Sequence, residues 1–181
     1  MKGMIFNVLE EMVIEKLGMA AWNTLLTEHA PPGRVYVSAK NYDDSELFAL
    51  AAAVANTLNL PLADVVRAFG HYLFQGLAER HIDVVQRFAN FNELVMGIHN
   101  VIHVEVNKLY VDPALPTIRC EQLSDTQIKM IYQSPRKLCL CAEGLLYGAA
   151  EYYQHTIHIQ HDQCMHQGAT HCELVIERQD V

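Results

Sequence analysis

The chain has 181 residues, a formal net charge of −8 at pH 7 and a hydrophobic fraction of 51%. This composition excludes an intrinsically disordered chain and suffices for one globular domain, which we expect to span residues 1–181. The acidic charge excludes a general nucleic-acid binder and a protein that binds anionic membranes, because both need a basic surface.

The N-terminal segment and the cysteines indicate a cytoplasmic protein. Glu10, Glu11 and Glu15 interrupt the apolar residues near the start, which is unlike a signal peptide. The longest apolar stretch, residues 47–60, is too short to span a bilayer. Five cysteines cannot all pair. We therefore interpret them as metal ligands, redox thiols or core residues in a reducing compartment, not as a disulfide framework.

Helical periodicity dominates the chain up to about residue 110. Apolar residues recur at helical spacing from residue 4 to residue 17, and Gly18 ends that pattern. Asp43 or Asp44 can cap a helix that starts near Ser45, and Pro61 suits the first turn of the next helix. The predicted helices cover residues 4–17, 20–29, 45–59, 61–80 and 91–110.

The pattern changes after Pro116. Residues 117–123 and 127–134 read as strands, and residues 155–164 and 170–179 alternate as in a closing hairpin. Between these pairs, residues 138–154 are expected to begin extended and to become helical from Ala142. The sequence thus predicts an α+β fold in which a helical N-terminal part packs on a C-terminal antiparallel sheet.

A possible anion clamp lies at the end of the second strand. Tyr132, Ser134 and Arg136 occupy every second position, so an uninterrupted strand would present them on one face. All three can donate hydrogen bonds, and the guanidinium fork of arginine suits a carboxylate or phosphate. The alternative is a solvated strand face with coincidental spacing.

Two histidines on the 91–110 helix are candidates for metal ligands. His99 and His103 are four residues apart and therefore share a helix face. No His-Glu-x-x-His pattern accompanies them. A single histidine can instead be one axial ligand, whereas the alternative is that both are partly buried helix residues without a ligand.

Three features together indicate a protein family: the helix histidines, the motif "YQSPR", and Pro116, which lies thirteen positions after His103. The sequence resembles the haem nitric oxide/oxygen binding (H-NOX) family over nearly the whole chain. In that family the motif holds the haem propionates and a histidine on a preceding helix ligates the iron. The resemblance implies haem b buried between the helices and the sheet, with His103 as proximal ligand and His99 as fallback. It also implies that Pro116, with Pro113 as competitor, presses on the porphyrin.

The resemblance also assigns the distal side of the haem. Cys141 falls where oxygen-binding members carry a tyrosine, so no hydroxyl is available to bound oxygen. The other distal positions are all aliphatic, and each also reads as ordinary core packing: Ile5, Leu9, Leu73, Leu77 and Leu145. The resemblance therefore implies NO and CO as ligands and no stable oxygen complex.

A second metal site is predicted near the C-terminus. His161 and Cys164 have a chelating spacing, and Gly168 lets the loop turn back to Cys172. One more thiolate would complete a tetrahedral zinc site, and Cys139 is preferred over Cys141, which the resemblance places at the haem. The alternative is that these residues are free thiols and surface histidines.

The preferred function is a cytoplasmic haem-based NO sensor in which NO weakens the bond between iron and His103. The resemblance implies a partner regulated in trans, either a histidine kinase or a cyclic-di-GMP enzyme (a diguanylate cyclase or phosphodiesterase). A zinc-thiolate redox sensor and a small-organic-ligand module of vinyl-reductase type remain alternatives. We expect no enzyme, because no nucleophile–base pair or Gly-rich phosphate loop is evident.

Overall fold

The computed structural model describes residues 1–179, and its first half is helical. Local signals set the helix ends. The Gly18 amide donates to the Ile14 carbonyl, with φ of 88° at Gly18. Asp43, not Asp44, is the cap, because its side chain accepts from the Ser45 amide at 2.8 Å. The four helices predicted here are confirmed as α1 (Gly3–Leu17), α2 (Met19–His29), α3 (Asp44–Leu58) and α4 (Leu62–Arg80).

The predicted single helix over residues 91–110 is wrong. A short helix α5 (Ile82–Val85) is followed by α6 (Phe91–Gly97), a π-helical turn (Ile98–Ile102) and α7 (His103–Leu109). Apolar periodicity does not distinguish an α turn from a π turn, because both keep apolar residues on the buried side. The π turn ends directly before His103, so the candidate iron ligand begins a new helix.

The C-terminal half forms one antiparallel sheet. Its strands are β1 (Thr117–Gln122), β2 (Gln127–Gln133), β3 (Thr156–Gln163) and β4 (Cys172–Gln179), in the order β1-β2-β4-β3. The predicted β3–β4 hairpin is confirmed, with a register irregularity between Gln160 and Gln163. β4 is therefore internal, and its Cys172 pairs with Tyr132 of β2.

Helix α8 (Cys139–Tyr152) connects β2 to β3 and begins earlier than expected. The expectation that residues 139–141 are extended is wrong, because the Ala142 amide already bonds to the Leu138 carbonyl at 3.0 Å. An α-helical start puts Cys139 and Cys141 on different sides of the helix.

Two apolar cores lie on either side of α4 and α8. One joins the sheet to α6 and α8, and the other joins α1 to α4. Helices α4 and α8 cross closely, because a Cβ at Gly144 would collide with the Arg67 carbonyl and one at Gly70 with the Cys141 carbonyl. The α+β arrangement predicted from the sequence is confirmed.

In the described part of the chain, no single helix has the length and hydropathy to cross a membrane. Helices α3 and α4 meet that criterion only as a pair bent by 112°.

Candidate haem and metal sites

The predicted clamp is partly a turn instead of a strand. β2 ends at Gln133, and the Lys137 amide donates to the Ser134 carbonyl at 3.1 Å. The predicted strand 127–134 is confirmed to within one residue, and Arg136 lies beyond its end, so the three side chains do not share one strand face. Pro135 explains the difference, since proline has no amide for a ladder and favours the second position of a turn. Burial raises the pKa of Tyr132 to about 12, so its hydroxyl stays protonated and can donate.

Arg136 joins the clamp to two other segments. Its Nε donates to Asp44 Oδ2 at 2.5 Å, and its Nη1 donates to the Ala114 carbonyl at 2.8 Å. Burial acts to raise the pKa of Asp44, but hydrogen bonds from the N-terminal ammonium and Arg136 lower it overall. The guanidinium is thus held between the start of α3 and the segment that leads to Pro116.

His103 lines a cleft together with residues of that segment. The cleft has a volume of about 650 Å³, and its lining includes His103, His99, Pro113 and Pro116. Burial, with a smaller contribution from His99, lowers the pKa of His103 to about 4. The imidazole is therefore neutral near pH 7 and has a lone pair to offer, as an iron ligand must. The rings of His99 and His103 are neighbours, with centroids 6.3 Å apart.

The predicted distal residues come together in the core built by α1 to α4. Leu9 and Leu73 are buried there, with the others packed against them: Ile5, Leu77 and Leu145. Cys141 belongs to the same core, and burial raises the pKa of its thiol to about 12. Helices α1, α4 and α8 thus supply an aliphatic surface that includes a protonated thiol.

Four of the predicted metal ligands converge although they come from different elements. The ligand atoms of Cys139, His161, Cys164 and Cys172 all lie within 4.8 Å of one another. Cys164 Sγ is 3.8 Å from Cys139 Sγ and 4.0 Å from Cys172 Sγ. Three thiols and one imidazole at these distances form a donor set that suits tetrahedral zinc. Burial raises the pKa of the Cys139 and Cys172 thiols. A bound cation has the opposite effect, because coordination favours the thiolates.

Sequence reasoning missed three residues at these sites. Asp44 was considered only as a helix cap, and neither Glu143 nor Arg67 was considered. Glu143 Oε1 is 2.5 Å from His161 Nδ1, and Glu143 Oε2 accepts from Arg67 Nε at 2.7 Å. One signal was available, since Glu143 follows Cys139 by four positions and, with Glu151, is one of only two acidic residues in a mostly apolar helix.

Comparison with known proteins agrees with this fold and these motifs. The family model for haem-NO-binding proteins matches residues 2–161. The crystal structure of an H-NOX protein from S. oneidensis in the Fe(II)NO ligation state is 60% identical, with a TM-score of 0.97, and the match covers 99% of this chain and 100% of that one. The chain belongs to the haem-NO-binding (H-NOX) family.

Two solution structures extend the comparison. The H-NOX domain of Shewanella oneidensis in the Fe(II)CO ligation state is 60% identical, with a TM-score of 0.94 and full coverage of both chains (100% each). The IWP-051-bound H-NOX of Shewanella woodyi, also in the Fe(II)CO state, is 33% identical with a TM-score of 0.86. That match covers 99% of this chain and 95% of that one.

Proposed function

We propose that the chain is a haem-based sensor that binds NO, and also CO, at a ferrous iron held by His103. The observation that carries the proposal is the position of the His103 imidazole, which lies at the start of α7 and lines a cleft together with Pro116. Relatives that are 60% identical have been solved in Fe(II)NO and Fe(II)CO ligation states, which supports the same ligands here.

The chain's residues suit haem b in three ways. His103 offers a lone pair to the iron, and Pro116 lines the same cleft. Tyr132, Ser134 and Arg136 offer donors for two propionates, whose burial near apolar residues is costly unless they are paired. Bound haem would supply a ferrous iron that takes up the gas, and NO binding would weaken the hold of His103 on that iron.

The protein's response would start at His103. This residue follows the π turn Ile98–Ile102 and precedes the segment on which Arg136 bonds to Ala114. Release of His103 would let α7 and that segment shift relative to the clamp, which is the two-state element that a switch requires.

Gas selectivity would follow from the aliphatic distal surface. Ligands on the iron would face apolar side chains and the protonated thiol of Cys141. Bound oxygen would need a strong hydrogen-bond donor for stability, and none of the residues predicted to line this surface carries a hydroxyl. NO and CO depend less on such a donor, so they are the ligands that the site favours.

The thiol–imidazole cluster would hold a structural zinc ion. Cys139, His161, Cys164 and Cys172 tie the start of α8 to the β3–β4 hairpin, and a structural zinc site contributes directly to folding free energy. Its thiolates also give a second candidate function, a redox input that acts alongside the gas site.

The output would pass to a separate protein. Residues 1–181 would act as one cytoplasmic sensor domain that binds its ligand without catalysis and regulates a partner in trans. The partner class that family membership favours is a histidine kinase of a two-component system or a cyclic-di-GMP enzyme.

Absorption spectra of matched histidine variants test the ligand assignment. His103→Gly is expected to lose most of the Soret absorption and to regain it when imidazole is supplied. His99→Ala is the control from the same cleft and should keep the Soret band and its shift with NO. Loss of haem from His99→Ala with retention by His103→Gly would show that the wrong histidine was assigned.

A further inference from the structure

Glu143 is a buried carboxylate beside the thiol–imidazole cluster. Only 6% of the residue is exposed, although it lies in a helix whose other buried residues are apolar or small. It follows Cys139 by one helical turn, so both side chains lie on the same face of α8. A carboxylate is rarely buried without partners, so the contacts of Glu143 are informative.

Both carboxylate oxygens of Glu143 are engaged, by side chains from two other elements. Oε1 is 2.5 Å from Nδ1 of His161 on β3, and Oε2 accepts from Nε of Arg67 on α4 at 2.7 Å. Arg67 is itself held by Asp64, one helical turn earlier, through Nη1 at 3.1 Å. Glu143 therefore connects α4 to the imidazole of the cluster.

This contact determines which nitrogen of His161 carries the hydrogen. A carboxylate only accepts, so a neutral imidazole at this position must donate from Nδ1. The lone pair is then on Nε2. Within residues 1–179, His161 Nε2 is the only buried side-chain nitrogen or oxygen without a hydrogen-bond partner. An imidazole nitrogen of His161 groups with the three cysteine sulfurs, all within 4.8 Å of one another. Because Nδ1 is engaged by Glu143, Nε2 is the atom left to coordinate.

We propose that Glu143 is the positioning residue of the metal site and that Arg67 anchors it from α4. Glu143 holds His161 in the Nδ1–H tautomer, orients the ring and makes Nε2 a better ligand, as carboxylates behind metal-bound histidines do. Arg67 in turn keeps the carboxylate from rotating away. The metal site is thereby braced by α4 of the N-terminal core as well as by α8, β3 and β4. This inference rests on the metal site of the proposed function.

Zinc competition with a chromophoric chelator, on the full haem-loaded chain, tests the role of Glu143. Glu143→Ala is expected to weaken zinc affinity about 10–100-fold, the usual effect of removing a carboxylate behind a ligating histidine. Glu143→Gln keeps an acceptor oxygen for Nδ1–H, so it should recover much of that loss. Zinc affinity within about twofold of wild type for both variants would overturn the proposal.

Helix α8 offers a matched control. Glu151 also pairs with a residue of α4, His71, at 2.6 Å, but its side chain is 62% exposed. Glu151→Ala removes an α4–α8 side-chain contact without touching the cluster and should leave zinc affinity unchanged. An equal loss from Glu151→Ala would mean that general α4–α8 packing matters, and would overturn a specific role for Glu143.

Nitrogen NMR of the imidazole reports the tautomer of His161. This tautomer would not change if Glu143 had only a structural role. In wild type, His161 is expected to carry hydrogen on Nδ1 both with zinc and without it. Glu143→Ala should show a tautomer mixture when zinc is absent. If Glu143→Ala does not fold, the wild-type NMR spectrum and the zinc affinity of Glu143→Gln still test the role of Glu143. Hydrogen on Nε2 of wild-type His161 would overturn the proposal.

Cys164→Ala separates failure of this inference from failure of the metal site. If Cys164→Ala loses zinc and the Glu143 variants do not, the metal site stands and only the role of Glu143 falls. If Cys164→Ala binds zinc as tightly as wild type, the metal site itself is wrong, and this inference falls with it.

Discussion

The contact between Asp44 and Arg136 gives a stability prediction whose size follows from the structure. Arg136 Nε donates to Asp44 Oδ2 at 2.5 Å, and the two side chains are 18% and 28% exposed. Asp44→Asn keeps the shape and removes the negative charge, which also pairs with the N-terminal ammonium at 2.6 Å. A charge-assisted hydrogen bond contributes about 1.5–3 kcal/mol. With partial solvent screening, loss of the Arg136 contact is expected to cost about 1–2 kcal/mol at pH 7, since exposed pairs contribute less, and the weakened ammonium contact adds to this loss.

The loss of stability caused by Asp44→Asn should become smaller as the pH falls. The pKa of Asp44 in the folded protein is below its ordinary value of 3.8. The carboxylate therefore contributes stability that is fully present above pH 3.8 and is lost as the pH falls through the lowered pKa. The difference between wild type and Asp44→Asn should be constant from pH 7 to about 5 and should narrow at lower pH.

Thermal unfolding followed by circular dichroism, at equal haem loading, measures this difference. For a chain of this size, each kcal/mol lowers the melting temperature by about 2–4 °C. Asp43→Asn is the neighbouring control: asparagine caps a helix as well as aspartate does, and Asp43 does not bond to Arg136. Equal losses from the two substitutions would refute the reasoning. The reasoning would also be refuted if the stability difference between wild type and Asp44→Asn stayed constant down to the lowest pH at which the wild type is folded.

Three further results are expected. The reduced protein should form NO and CO complexes but no stable oxygen complex, because none of the predicted distal residues carries a hydroxyl; a long-lived oxygen spectrum in air would contradict this. Metal analysis should find about one zinc per chain in preparations never exposed to chelator. Cys164→Ala should lose it and lower the melting temperature more than Cys120→Ala, whose thiol lies outside the cluster. Cys139→Ala should also lose zinc whereas Cys141→Ala should retain it, and the reverse would mean that the two cysteines were exchanged.

Local features of the sequence were enough for most secondary structure. Helices α1 to α4 begin and end where glycine, aspartate and proline can cap or stop them, and these signals act within a few residues. The alternation of apolar and polar residues in β3 and β4 predicted the hairpin, because this pattern too is a short-range feature of the sequence. The π turn before His103 was missed because its apolar pattern is also that of an α-helix, and the turn at Pro135 shows how one residue can end a strand.

The sequence by itself also supplied the candidate iron ligand, the clamp motif and the residue types of a zinc site, because these depend on which side chains are present. Whether the side chains meet depends on packing between distant segments. Cys139 and Cys141 are two residues apart, yet α8 directs one into the cluster and the other into the α1–α4 core. Glu143 meets Arg67 across 76 residues and His161 across 18. Such contacts form only when α4, α8 and β3 are brought together, and no short-range pattern encodes them.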